Sequence, residues 1–438
     1  MTPFGFTSDS SDDAEKNNGE GAVDFAAMMQ QMQQQIKEQF SKLGMSAPGM
    51  GVTSEALPKN IVRDTAKKFV TAKGSAPIGV NDEAKITEAF SIAELWLDGA
   101  TYFPQSTIVA RSTLARTDWV DSTLSGWQIC VEPLAIGLAT AISDLLKNNG
   151  DSGGLGSPEN HMQIPVEMIA TLLHSFIGSM MATQLGQSVG GLAVSATGIH
   201  DVGLPLVEPV FPALVPQNIS EWAQDLDIPI DEVRIFHALR ESAGARLFSH
   251  NPWLVSYIRT SISDYGKGIR IDIDAIQRQA QDAFEAASGT TDEFDPSNPE
   301  SFTMAINEGI FTPEETPAQR EALTKLETVL ALVDGWSETV VNLAAGNRLP
   351  NIVALQETLR RRRATSAPTQ QLFANLFGLQ VSPRLAREAS SFWSAVGELR
   401  DLQSRDHIWS GILPTAQDLL TPEIYLSSME IPDDLSSL

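Results

Sequence analysis

The sequence predicts a mainly α-helical protein, a large helical domain with one or two short strands. Three observations predict it. From Pro58 onward apolar residues recur at spacings of three and four nearly throughout, the period of one helical face. A long apolar segment carries Gly178, Ala182, Gly186 and Gly190 four apart, a stripe on which a second helix can lie close. Only one stretch, GIHDVGLPLVEPVFPALVPQNIS, combines many Val, Leu and Pro residues with no helical period.

Three regions follow along the chain. Residues 1–57 form an acidic, disordered arm. Its first part is a Ser/Asp/Gly/Asn run too polar to pack. Within it, residues 24–43 place Phe25, Met28, Met29, Met32, Ile36, Phe40 and Leu43 on one face, with Asp24 able to cap the start. This Met-rich helix needs a surface, which the body of the same chain, a second copy or another protein can supply. Residues 58–422 form the helical domain, and residues 423–438 an acidic, Ser-rich tail.

Within the domain, helices are expected over 84–97, 131–146, 165–192, 231–248, 275–286, 316–345, 352–363 and 383–402. The extended segments end near Val215, after which Asn218 or Ser220 caps the next helix.

Composition excludes several function classes. The chain has 438 residues and 42% hydrophobic content, enough for a sizeable core. With 30 basic and 55 acidic residues its net charge is −25, which disfavours nucleic acid and anionic lipid. The single cysteine, Cys130, rules out an intramolecular disulfide, and its apolar neighbours suggest a buried, inert thiol. Glu167, His174, Gln184 and Gln187 interrupt the longest apolar stretch, so it reads as a buried helix and not a membrane span. The N-terminus lacks a basic and an apolar signal region, which places the protein in the cytoplasm. There is no G-x-S-x-G elbow, and GGLGS at 153–157 lacks the Lys-Ser/Thr of a phosphate loop. The run Arg360 to Arg363 stands at an expected helix C-terminus. It serves there as a cap with acidic partners, or as a site for an anionic ligand or acidic tail.

The stretch HALRESAGARLFSHNPWL, 237–254, carries the functional question. In a His-Glu-x-x-His helix, residues i and i+4 share a face, so two imidazoles meet one zinc ion while the Glu acts as base on its water. Together with AELWLDGAT (93–101), LGQSVGGLAVSATGIHDVGLPL (185–206), the 308–336 segment, ETLRRRRAT (357–365) and DHIWSGILPTAQDL (406–419), this stretch resembles the actinobacterial zincin-like metallopeptidase type 2 family. Members of that family are described as hydrolases or zinc-dependent metalloproteases, and the resemblance spans about Pro58 to Pro422.

Intact members resemble L-H-E-V-T-H, followed by Pro-Trp-Leu and later Glu-Gly-His. Through Pro252-Trp253-Leu254 the first His falls on Arg240, the Glu on Glu241 and the second His on Gly244. The later triplet falls on Asp334, Gly335 and Trp336. A guanidinium, a glycine and an indole N–H offer zinc no lone pair. The resemblance therefore implies a degenerate site that retains Glu241 and needs no zinc. Arg240 would pair with Asp334 or Glu241, or stand as an ordinary helix-surface arginine. A displaced metal site would have to gather His237, Glu241, His250 and His200. Two functions fit: a non-catalytic cytoplasmic interaction or scaffold protein, or a hydrolase using Glu241 in a rearranged or metal-free site. Partner, substrate and oligomeric state are not legible in the sequence.

Overall fold

The computed structural model describes residues 56–106, 112–150, 166–269, 316–366, 372 and 383–428. The expected helices at 24–43 and 275–286 lie outside these residues. Among the described residues the chain forms twelve helices. In order they are α1 (Lys59–Lys73), α2 (Val80–Leu97), α3 (Arg116–Gly150), α4 (Val166–Ser195), α5 (Pro216–Ala223) and α6 (Ile230–His250), then α7 (Trp253–Lys267), α8 (Pro317–Ala345), α9 (Ile352–Ser366), α10 (Pro383–Leu399), α11 (Leu402–His407) and α12 (Pro422–Ser428). A 3-10 turn, His200–Val202, follows α4. No helix of the described residues is long and apolar enough to cross a membrane.

The helix α6 organises the molecule. Asp231 and Glu232 complement the dipole at its start, and Asn251-Pro252 ends it. Thirteen of its 21 residues are buried, because α2, α5, α8 and the 3-10 turn all pack on it. The long helix α8 lies alongside, started by Pro317 and by a reciprocal cap between Thr316 and Gln319. Its outer side carries α10, and Trp336, Trp393 and Trp409 fill the space beside them.

The small-residue stripe does bring a helix close. A Cβ on Gly186 would stand 2.8 Å from the Val62 carbonyl oxygen, and one on Gly190 3.0 Å from that of Ala66, so α1 lies directly on α4. In place of strands, the Val/Leu/Pro stretch makes two isolated bridges, Leu214 with Thr113 and with Gly198. Its backbone carries the polar groups that the site uses.

Four boundaries differ from the expectation. First, α3 begins at Arg116, not at 131, because its first turns are amphipathic rather than uniformly apolar. Second, α1, α7 and α11 were not among the helices delimited from the sequence. Third, Asn218 caps no start: α5 begins at Pro216, and the Asn218 amide donates to the Ala193 and Ala196 carbonyl oxygens at 2.9 and 2.6 Å, closing the end of α4. Fourth, the chain stays ordered past Pro422, since Tyr425 and Leu426 of α12 are buried.

Candidate functional site

One face of α6 presents His237, Arg240, Glu241, Gly244 and Phe248 to a cavity of about 670 Å³. The 3-10 turn supplies His200, Asp201, Val202 and Gly203, and α8 supplies Asp334, Ser337 and Glu338. From α9 come Arg360, Arg361 and Arg363, and from α10 Arg387, Ser390 and Ser391. Small-molecule pockets commonly span about 300–1,000 Å³.

Glu241 lies at the base of this face, 3% exposed. Its Oε1 accepts from the backbone N–H of Ile199 and Ala213, each at 3.1 Å, and from His200 Nδ1 at 2.8 Å. Its Oε2 accepts from the His200 backbone N–H at 2.9 Å. The loop reaches the carboxylate because residue 198 has no side chain: a Cβ there would lie 2.3 Å from Oε2. Four donors meet about four acceptor positions of the ionised group.

Gly244 has a second consequence. A Cβ there would stand 2.8 Å from the His200 Cβ, so the glycine lets the 3-10 turn sit down on α6. The His200 ring then occupies the side of the helix where a residue 244 side chain would project, stacked on Phe248 at 5.8 Å between centroids. Its Nε2 is buried and has no hydrogen-bond partner.

One turn away, Arg240 Nη2 donates to Asp334 Oδ1 at 2.7 Å. Arg363 reaches the same carboxylate from α9 and also meets Asp201 Oδ1 at 3.2 Å. Burial opposes ionisation of Asp334, yet Arg363 and Arg240 hold its carboxyl well below the usual carboxylate range. Asp201 is held low against burial chiefly by Arg363, with the Thr197 backbone N–H and Arg240 adding to it. The His237 Nδ1 donates to the Thr197 hydroxyl at 3.0 Å, which in turn donates to Asp201 Oδ2 at 3.0 Å. Burial pushes the His237 imidazole down to about 3, with Asp201 opposing and Arg240, Arg362 and Arg363 adding to the effect.

The anticipated residues thus divide. Arg240, Glu241, Gly244 and Asp334 line one cavity, and Arg240 takes Asp334, not Glu241, as its partner. Trp336 does not join them. Its indole is fully buried, donates to Asp406 Oδ1 at 2.9 Å and packs against Trp409 and Phe103, so that position belongs to the core. His250 lies apart, bonded to the Arg246 carbonyl and stacked on Phe103. Among the described residues no group of three or more His, Cys, Asp or Glu could hold a metal ion.

The Arg360–Arg363 run takes intramolecular acidic partners. Arg360 pairs with Glu338 and Glu357, Arg361 with Glu357, and Arg363 with Asp334 and Asp201. Arg362 donates to the Trp222 carbonyl and lies 4.6 Å over its ring. Cys130 is buried, and desolvation pushes its thiol up to about 12, as expected of an inert residue. Sequence reasoning missed Arg363 as a member of the site, and Thr197 with it. A basic run gave no sign of which of its members turns inward.

A helical domain built round a metallopeptidase-like helix and a cavity defines the class. The chain belongs to the zincin-like metallopeptidase family, whose model matches residues 59–426. In overall shape it is similar to a crystal structure described as "a putative hydrolase with a novel fold from Chloroflexus aurantiacus". That likeness has a TM-score of 0.54 and 16% identity, and covers 85% of this chain and 98% of the other. No curated protein matches the chain.

The residues here do not fit the family's zinc ion. Arg240 brings a fixed positive charge, Gly244 brings nothing, and both Glu241 oxygens are engaged within the protein.

Proposed function

We propose that this protein has left zinc-dependent peptide hydrolysis and works in the cytoplasm as an interaction or scaffold protein, with the family's cavity kept as a binding site. The observation that carries the reading is the state of Glu241. A base that acts on a metal-bound water needs an oxygen directed at that water. Here three backbone N–H groups and an imidazole take up the carboxylate, which ties α6 to the 3-10 turn and to residue 213. The Arg240–Asp334–Arg363 cluster supports the same reading, because a guanidinium stands where a cation-binding imidazole would be needed. The net charge of −25 argues against nucleic acid as the partner. The Met-rich segment 24–43 is the candidate recruitment element.

Elemental analysis of the purified chain tests this directly, and the expectation is zinc well below one equivalent. Changing Glu241 to Gln adds a second readout. Gln turns one acceptor into a donor that faces backbone N–H groups. Glu241→Gln should therefore lower unfolding stability by about 2–4 kcal/mol, since buried donors lose their acceptor. Stoichiometric zinc, or a Gln variant that folds normally but loses a hydrolytic activity of the parent, would overturn the reading. Capture of a partner that depends on residues 24–43 would support it.

A second reading, a metal-free hydrolase using Glu241, is favoured by one observation: the His200 ring that donates to this carboxylate has a buried Nε2 with no hydrogen-bond partner.

A further inference from the structure

The polar groups around the cavity do not balance. Every acid on its lining is engaged within the protein. Asp334 takes Arg240 and Arg363, Asp201 takes Arg363 and Thr197, and Glu338 and Glu357 take Arg360 and Arg361. Glu241 holds four donors, and Glu327 is engaged as well. The donors are not all used. Arg240 has five N–H groups, and among the described residues one hydrogen bond, to Asp334, is formed by them. Its side chain is 11% exposed and lines the cavity. Arg387 of α10 is exposed on the same lining and has no partner among the described residues. Beside it, the Ser390 and Ser391 hydroxyls donate to no described residue, whereas Ser394 donates to the Ser390 carbonyl oxygen at 2.9 Å.

These donors gather around Asp334. A Cβ on Gly335, the next residue, would stand 2.7 Å from the Ser390 backbone nitrogen, so α10 crosses α8 at that point. Arg387 lies about one turn earlier on α10. Arg240, Arg363 and Arg387 against Asp201 and Asp334 leave a local excess of positive charge, in a chain whose net charge is −25. Leu330, about one turn before Asp334 on α8, and Ala386 on α10 add half-buried apolar wall to the same lining.

We propose that the cavity binds an apolar monocarboxylate, with its carboxylate on Arg240 and Arg387 and its hydrocarbon body against Leu330 and Ala386. The inference rests on the zinc-free binding reading and names the ligand of that same cavity. An ionised carboxylate brings acceptors only, which is what the spare donors lack. Its plane matches the fork of a guanidinium. A single negative charge offsets the local excess. A phosphate dianion would exceed it and be repelled by the acids already paired nearby. The hydrocarbon body favours the site by leaving water for the apolar wall.

The test uses the full chain, stripped with chelator, and octanoate as probe in isothermal titration. Saturable binding is expected, at least tenfold tighter than that of octanol, octylamine or octyl phosphate. Arg387→Met removes an exposed side chain without a partner, so the fold should survive. It should weaken octanoate about tenfold, the scale of one charge-assisted hydrogen bond. Arg240→Lys keeps a charge beside Asp334 but loses the fork, and should weaken octanoate at least as much. Neither substitution should alter the affinity for octanol, which a general distortion of the cavity would change. No saturable octanoate binding by the folded parent, or parental affinity in both variants, overturns the inference while low zinc leaves the zinc-free reading standing. Tighter binding of octyl phosphate or octylamine replaces the ligand class and overturns the inference too. Octanoate binding that requires added zinc overturns both readings.

Discussion

Asp334 is the residue on which three elements converge. It receives Arg240 from α6 and Arg363 from α9, and Arg363 in turn holds Asp201 of the 3-10 turn. Removing one arginine leaves the carboxylate with the other, so the two losses differ in kind. Arg363→Met strips two carboxylates of their shared partner and should cost more stability than Arg240→Met, which strips one. A double-mutant cycle of Arg240→Met with Asp334→Asn, read by denaturant unfolding, should give a coupling of about 1–2 kcal/mol, the range for contacting charged residues. Additive losses would mean that the pair is a surface contact of no consequence. The Arg240–Asp334 pairing could be anticipated because the family register puts both residues at one site and their charges oppose. The Glu241–His200 contact joins residues 41 positions apart across a turn of no regular period. Nothing in local spacing could foretell it, and Gly244, which makes room for it, reads in the sequence only as a missing ligand.

Elements were legible where packing follows period. The helices α2, α4, α6, α8 and α9 fall within a few residues of the apolar pattern, since a repeated face is what a helix buries. Their ends were less legible, because caps come from distant chain. Asn218 illustrates this: it belongs to α5 but satisfies the carbonyls that end α4. Close crossings were legible on α4 but not on α3, where glycines are sparse. A Cβ on Gly137 of α3 would come 2.2 Å from the Gly266 carbonyl oxygen of α7, and one on Gly266 2.8 Å from that of Pro133. Backbone meets backbone here, so no side chain can swing aside. Gly137→Ala should force α3 and α7 apart and lower stability by about 1–3 kcal/mol, as overpacking does elsewhere. Ala at Gly191, where a Cβ meets nothing within 4 Å, is the matched control and should be neutral or slightly stabilising. Equal effects of the two substitutions in thermal melts would rule out the crossing as the cause.

For the whole molecule, the buried network at the cavity sets how stability responds to acid. His237 is held uncharged, its pKa lowered from 6.5 to about 3 chiefly by burial, with Asp201 opposing and Arg240, Arg362 and Arg363 adding to the effect. The unfolded chain binds a proton at this residue below about 6.5 while the folded chain does not. Stability is therefore fully present above that pH and is lost as pH falls towards 3. Between pH 7 and pH 5 this single group should remove about 2 kcal/mol, at 1.36 kcal/mol for each pH unit below the unfolded pKa. Asp201 and Asp334 act lower down. Their folded pKa values are depressed, so their contribution is complete above the unfolded carboxylate value and disappears only below about pH 4. Two acid limbs follow, an upper one from the imidazole and a lower one from the ion pairs. In urea titrations across pH, His237→Phe should flatten the upper limb, whatever it costs at pH 7, and leave the lower limb in place. Arg363→Met should do the reverse, reducing the lower limb while the slope between pH 6.5 and 5 persists. A parent protein with constant stability from pH 7 to pH 5 would show that the His237 ring gains a proton without unfolding, and that the cavity opens to water around it.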